Sequence, residues 1–251
     1  MGTDIHLQVE RYDENTEEWI DINKQALSYR GTLNHLYEKP KEGEDKPQLS
    51  QEEVQDMIFD YWDNNPESRC YMLFSFLADV RNGYGFAGSE TYTPIKPIAD
   101  LRGHPSKSAF SDVFDESEEW CHSPTFFSMK ELLEDKGWEQ DVENSGYVAF
   151  DEWKEFVESQ EGDTPMKSPN SYCAGISGGG VVKHPMSEFE KVCASPDKHG
   201  DTNDIYIRGK WTEKSPLKDT AFWGWLNSEK MTKLAEQYGS DNIRINIYFD
   251  N

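Results

Sequence analysis

Two segments at opposite ends of the chain alternate apolar and polar residues with a period of two. Near the start, Ile5, Leu7 and Val9 interleave with Asp4, His6, Gln8 and Glu10. Near the end, Ile243, Ile245, Ile247 and Phe249 interleave with Arg244, Asn246 and Tyr248. This is the period of a β-strand with one apolar face. Two such faces are most simply served by one core, which puts both chain ends in the same sheet. Closing so long a loop adds entropic cost only logarithmically.

Between the ends, helical spacing dominates. Ser50-Gln51-Glu52-Glu53 reads as a capping box ahead of Val54, Met57, Ile58 and Tyr61. Arg69 to Val80 is apolar nearly all round, as a buried helix is, and is expected to stop at Gly83. Ser128-Met129-Lys130-Glu131 is a second capping box. Asp151 is expected to cap a helix carrying Trp153, Phe156 and Val157. Asn227 or Ser228 opens another through Met231, Leu234 and Tyr238, ending at Gly239. A turn at Tyr12 to Asn15 predicts a hairpin with Trp19 to Ile22, and Ile205 and Ile207 mark a further strand. Lys39 to Pro47, Gly83 to about Ser111, and Asn170 to Gly180 read as loops. Helices that do not alternate strictly with strands argue for an α+β fold over a doubly wound sheet. With no repeat and no linker, the expectation is a single domain over residues 1–251. Its antiparallel or mixed sheet contains both terminal strands, with helices packed on it.

Charge narrows the partners. The chain has 25 Lys+Arg against 48 Asp+Glu, a formal net charge of −23. With 13% aromatic residues it is not a disordered acidic tail. Such a surface repels nucleic-acid backbone and anionic lipid, so neither direct nucleic-acid binding nor membrane association is expected. There is no long apolar run and no signal-like start, which makes the cytoplasm the expected location. Cys70, Cys121, Cys173 and Cys193 lack the close paired spacing of a zinc site and read as free thiols.

Three constellations carry candidate chemistry. Asp4 and His6, two apart on one strand, share a face and offer a divalent metal two ligands, or a histidine base its orienting carboxylate. The alternative is a solvated outer face. His122, just before the Ser123-Pro124 turn that leads to the Ser128 helix, is the candidate third member; His35, His104, His184 and His199 are others. The second constellation is Arg81-Asn82-Gly83-Tyr84-Gly85-Phe86-Ala87-Gly88. Its glycines allow close approach, Arg81 offers a donor fork to phosphate, and Tyr84 or Phe86 can stack on a base. Arg81, Asn82 and Tyr84 are thus candidate ligand-binding residues, joined by Arg102 and His104 from the same long loop. The alternative is a helix terminus with Arg81 paired to an acid. The third, Gly175 to Gly180, precedes a strand-like Val181 to Pro185 and lacks the phosphate-loop pattern, so it reads as a flexible loop.

Several of these pieces together resemble a known group. They are Met1-Gly2-Thr3-Asp4-Ile5-His6-Leu7, Leu77-Ala78-Asp79-Val80-Arg81-Asn82-Gly83, Pro97-Ile98-Ala99-Asp100-Leu101-Arg102-Gly103-His104-Pro105 and Ile247-Tyr248-Phe249-Asp250-Asn251. They resemble a family of uncharacterised phage and prophage proteins that open Met-Gly-Cys-Asp-Ile-His and close on a strand ending Phe-Asp. The resemblance does not extend over residues 144–204. Thr3 stands where that family has Cys, which argues against a cysteine-ligated metal there. Phage origin and a single intracellular domain are what the resemblance implies; it carries no reaction and no catalytic residues.

The leading expectation is a phage-type accessory protein that binds, and so sequesters, a phosphate-bearing nucleotide or signalling molecule to counter host defence. A metal-dependent phosphoester hydrolase using Asp4 and His6 is the second reading. An acidic protein that blocks a host nucleic-acid-binding protein is the third. A homo-oligomer and a host protein partner stay open.

Overall fold

The computed structural model describes residues 3–22, 69–85, 88–107 and 121–250. The strands are β1 (Asp4–Asp13), β2 (Glu18–Asp21), β3 (Cys121–Ser128), β4 (Val142–Ala149), β5 (Val182–Pro185), β6 (Ile205–Glu213) and β7 (Ile243–Asp250). The α-helices are α1 (Tyr71–Ala78), α2 (Met129–Glu134), α3 (Phe150–Ser159), α4 (Phe189–Ala194), α5 (Ala221–Leu226) and α6 (Glu229–Tyr238). The fold is α+β, as the pattern predicts. Two compact units emerge, each assembled from separate stretches of chain. One holds Cys70–Ala99 and Lys136–Asp219; the other holds Thr3–Arg69, Asp100–Asp135 and Thr220–Asn251.

In the unit that contains the terminal strands, a four-stranded antiparallel sheet runs β2-β1-β7-β3. Ile5 lies opposite Phe249, Leu7 opposite Ile247 and Val9 opposite Ile245. The two chain ends therefore pair along their apolar alternation, and the β1–β2 hairpin forms as expected. Ser128 closes a complete capping box with Glu131 at the start of α2. Ser228 caps α6, which stops at Gly239. Helix α5, capped by Thr220, has no counterpart in the sequence reading. Ser123-Pro124, expected as a turn after His122, lies instead within β3. The strand keeps its pairing through a bulge between His122 and Thr125, where Ser123 takes a φ of 52°.

The other unit carries a three-stranded sheet, β4-β6-β5, antiparallel between β4 and β6 and parallel between β5 and β6. Ile205, Ile207 and Trp211 turn one face of β6 into the core beneath α3. Contact is so close that a Cβ on Gly209 would lie 2.3 Å from the Trp153 ring. Helix α1 buries Leu73, Phe74, Phe76 and Leu77. It ends earlier than Gly83, because Asp79 itself takes the left-handed conformation, with a φ of 56°. Asp151 does not cap α3. The cap position is Ala149, and Asp151 sits in the first turn, where a carboxylate still complements the helix dipole.

The Lys39 to Pro47 loop, the Ser50 capping box, His35 and Phe86 lie outside the described residues. Among the described residues no helix is long and apolar enough to cross a membrane. Cys70, Cys173 and Cys193 are free thiols.

Candidate functional site

The site is built on the face of the three-stranded sheet that turns away from its core. Antiparallel pairing sets Ser145 opposite Lys210 and Tyr147 opposite Arg208, while parallel pairing sets Lys183 opposite Tyr206. Strand alternation therefore gathers Glu143, Ser145, Tyr147, Lys183, Arg208 and Lys210 on one face. The segment after α1 folds against the free edge of β4. Ser145 N donates to Thr91 O at 2.7 Å and Thr93 N to Glu143 O at 2.8 Å.

Two side chains hold that segment in shape. The Asn82 amide donates to Asp79 Oδ1 at 2.7 Å and to Ile95 O at 2.8 Å, and accepts from Ile95 N at 2.9 Å. The Tyr92 hydroxyl meets Ser75 Oγ at 2.6 Å, and burial pushes its pKa up to about 12, so it stays neutral. Gly83 has a φ of 88°, and a Cβ there would lie 3.0 Å from Pro94. A side chain at this turn would be both strained and crowded.

Between segment and sheet lies a cavity of about 320 Å³, whose walls include Tyr84, Glu90, Glu143, Ser145, Arg208 and Lys210. Its charges are not equivalent. Lys210 Nζ lies 3.0 Å from Glu143, and that bond is the main reason the Glu143 carboxyl is held below its ordinary pKa. Arg208 donates to Glu90 O and Ser145 Oγ at 3.3 Å and to Ala174 O at 3.5 Å. All three acceptors are neutral, and the contacts are longer than a well-made hydrogen bond. Among the described residues no carboxylate pairs with Arg208. Tyr84 is 45% exposed at the cavity wall and can receive a flat ring. A cation, a phenol, a hydroxyl and turn backbone suit the capture of an anion, and no nucleophile and base are paired among these groups.

The residues singled out from sequence fall in different places. Tyr84 lines the cavity, with Gly83 beside it. Asn82 shapes the loop, both of its amide hydrogens being committed. The Arg81 guanidinium lies 5.0 Å from the centre of the Tyr71 ring and is not among the cavity walls. Arg102 and His104 belong to the other unit. There Arg102 grips Glu131 bidentately at 2.8 and 3.0 Å, holding the Glu131 carboxyl below its ordinary pKa. His104 is exposed.

Asp4 and His6 do share a face of β1, but Arg69 holds Asp4 through two bonds at 2.7 and 3.2 Å. His6 stacks on Tyr248 at 4.8 Å. His122 lies opposite Phe249, which lies opposite Ile5, and so sits on the other face of the sheet from Asp4 and His6. The three are not brought together. Among the described residues no three His, Cys, Asp or Glu side chains converge to hold a metal.

Arg208 and Lys210 escaped sequence reasoning. The signal was present in Ile205-Tyr206-Ile207-Arg208-Gly209-Lys210-Trp211, whose period of two aims both cations away from the core. These features define an acidic α+β protein with an open polar cavity. No protein-family model matches the chain, and no curated protein or solved structure is similar to it.

Proposed function

We propose that the protein binds a small phosphate-bearing molecule, of nucleotide type, in the cavity walled by Tyr84, Ser145 and Arg208. The observation that carries this reading is Arg208. In a chain of net charge −23, a half-buried guanidinium lining a cavity donates, among the described residues, only to neutral oxygens. A planar fork without a carboxylate is suited to bidentate contact with phosphate. The cavity size lies at the lower end of the range for small-molecule sites, and Tyr84 gives a base a surface to stack on. Holding a ligand needs no nucleophile, so sequestration is sufficient. A phage-type protein that withdraws a host signalling nucleotide is the role consistent with the resemblance at the two chain ends. The hydrolase alternative has less support, since Asp4 is engaged by Arg69 and His122 lies across the sheet.

Calorimetric titration with nucleoside mono- and diphosphates tests the reading. A charge-assisted bidentate contact contributes about 1.5–3 kcal/mol, so Arg208→Ala weakens binding by roughly ten- to a hundredfold. Arg208→Lys restores part of it, lacking the fork. Arg102→Ala leaves binding unchanged. Absence of binding by every nucleotide overturns the reading.

A further inference from the structure

Outside the cavity wall, the same face of the sheet carries a second cation. Lys183 Nζ lies 5.2 Å from the centre of the Tyr147 ring, and Arg208 Cζ also lies 5.2 Å from it. The two charges are therefore no more than about 10 Å apart, within one screening length at ordinary ionic strength. Among the described residues neither has a carboxylate at ion-pair distance, in a chain with 48 acids. The paired cations elsewhere show the contrast: Lys210, Lys214 and Lys218 each sit within 3.0 Å of an acid in this same unit.

Two like charges on one aromatic ring repel each other, and the ring's attraction and neutral acceptors offset that repulsion only in part. A single ligand with negative charge at two linked positions neutralises both. Arg208 is the fixed member, half-buried and tethered by three contacts. Lys183 is exposed on the edge strand β5, where its flexible stem can follow a second anionic group.

We infer that the ligand carries two linked phosphates, one at Arg208 and the next toward Lys183, with its base directed to Tyr84. This rests on the binding reading above and narrows it to the nucleoside diphosphate class.

The test is calorimetry on the full chain with matched nucleoside monophosphates and diphosphates, and with inorganic pyrophosphate. The expected result is about tenfold tighter binding of the diphosphate. Lys183→Ala abolishes that preference while leaving the monophosphate affinity unchanged, and Arg208→Ala weakens both. Because Lys183 is exposed, the variant should melt with the wild type, which a thermal scan verifies. Equal affinity for mono- and diphosphate, or a diphosphate affinity indifferent to Lys183→Ala, overturns the inference and leaves the cavity reading standing. Failure of every phosphate compound to bind overturns the cavity reading itself. Pyrophosphate binding as tightly as the nucleotide supports the two-phosphate assignment and removes the base from Tyr84.

Discussion

In the sheet that joins the two chain ends, the middle of the polar side is buried: Gln8, Glu10, Arg244 and Asn246 are all at most 5% exposed. Arg244 donates to Glu10 Oε2 from Nε at 2.8 Å and from Nη2 at 2.5 Å, and its guanidinium lies 4.0 Å from the centre of the Trp19 ring. In the three-stranded sheet the polar side borders an open cavity, and among the described residues Arg208 pairs with no carboxylate. The same residue type on the same kind of strand is thus used in two ways. A closed, dry ion pair completes itself and contributes to the choice of partner strand. Sliding β1 by two residues along β7 would keep every apolar residue inward but would leave Glu10 opposite Asn246 or Asn242 rather than Arg244. A half-closed cation has capacity left over for a molecule that is not part of the chain.

Breaking the closed pair should have the largest effect. Arg244→Ala removes both guanidinium bonds to the buried Glu10 carboxylate, and removal of one partner of such a pair costs about 3–5 kcal/mol. Urea unfolding measures this. The double variant Glu10→Leu/Arg244→Met should recover most of the loss, because apolar groups of similar volume need no partner. If Arg244→Ala costs less than Arg208→Ala, the contrast between the two sheets is wrong. Next in size is Gly209→Ala, on the face of β6 opposite Arg208. Its Cβ would enter the Trp153 ring, a flat and fully packed neighbour. Overpacking of this kind costs about 1–3 kcal/mol, and the near-ultraviolet dichroism of Trp153 should change with it. Arg208→Ala, by contrast, should alter unfolding by no more than about 0.5 kcal/mol while weakening ligand binding roughly ten- to a hundredfold.

The contrast also explains what the sequence made legible. Period-two alternation located β1 and β7 because Ile, Val and Leu leave no doubt about the core side. It did not tell whether the opposite side meets water, since alternation separates two faces without saying what covers either. Strand β4 stayed hidden for a different reason. Asn144 and Gly146 occupy its inward positions, so local preference pointed to a loop and pairing with β6 overrode it. The glycines of residues 83–88 drew attention to Tyr84, which lines the cavity. The cation that serves that cavity is remote in sequence, its contact to Glu90 spanning 118 residues. Only the pairing of β4 with β6 brings it there. Arg81, two residues from a glycine, and Arg102, next to one, are conspicuous in the sequence, yet neither is among the cavity walls.

The smallest effect distinguishes a third way of handling charge, the exposed pair. Arg69 and Asp4 are 58% and 48% exposed, and the hydrogen bond from Arg69 is the main reason the Asp4 carboxyl titrates below its ordinary value of 3.8. A carboxyl with a depressed folded-state pKa contributes stability that is present above its unfolded pKa. That contribution is lost as pH falls through the folded value. The Arg69–Asp4 contribution should therefore be constant from neutral pH down to about 5 and decline below about 4. Exposure and salt limit it to under about 1 kcal/mol. Arg69→Ala should lower stability by that small amount at pH 7 and by progressively less toward pH 2, with 1 M salt erasing much of the difference. The Glu10–Arg244 pair, sealed from solvent, should show no comparable salt dependence across the neutral range. Equal salt sensitivity of the two pairs would mean that the Glu10–Arg244 pair is open to water after all.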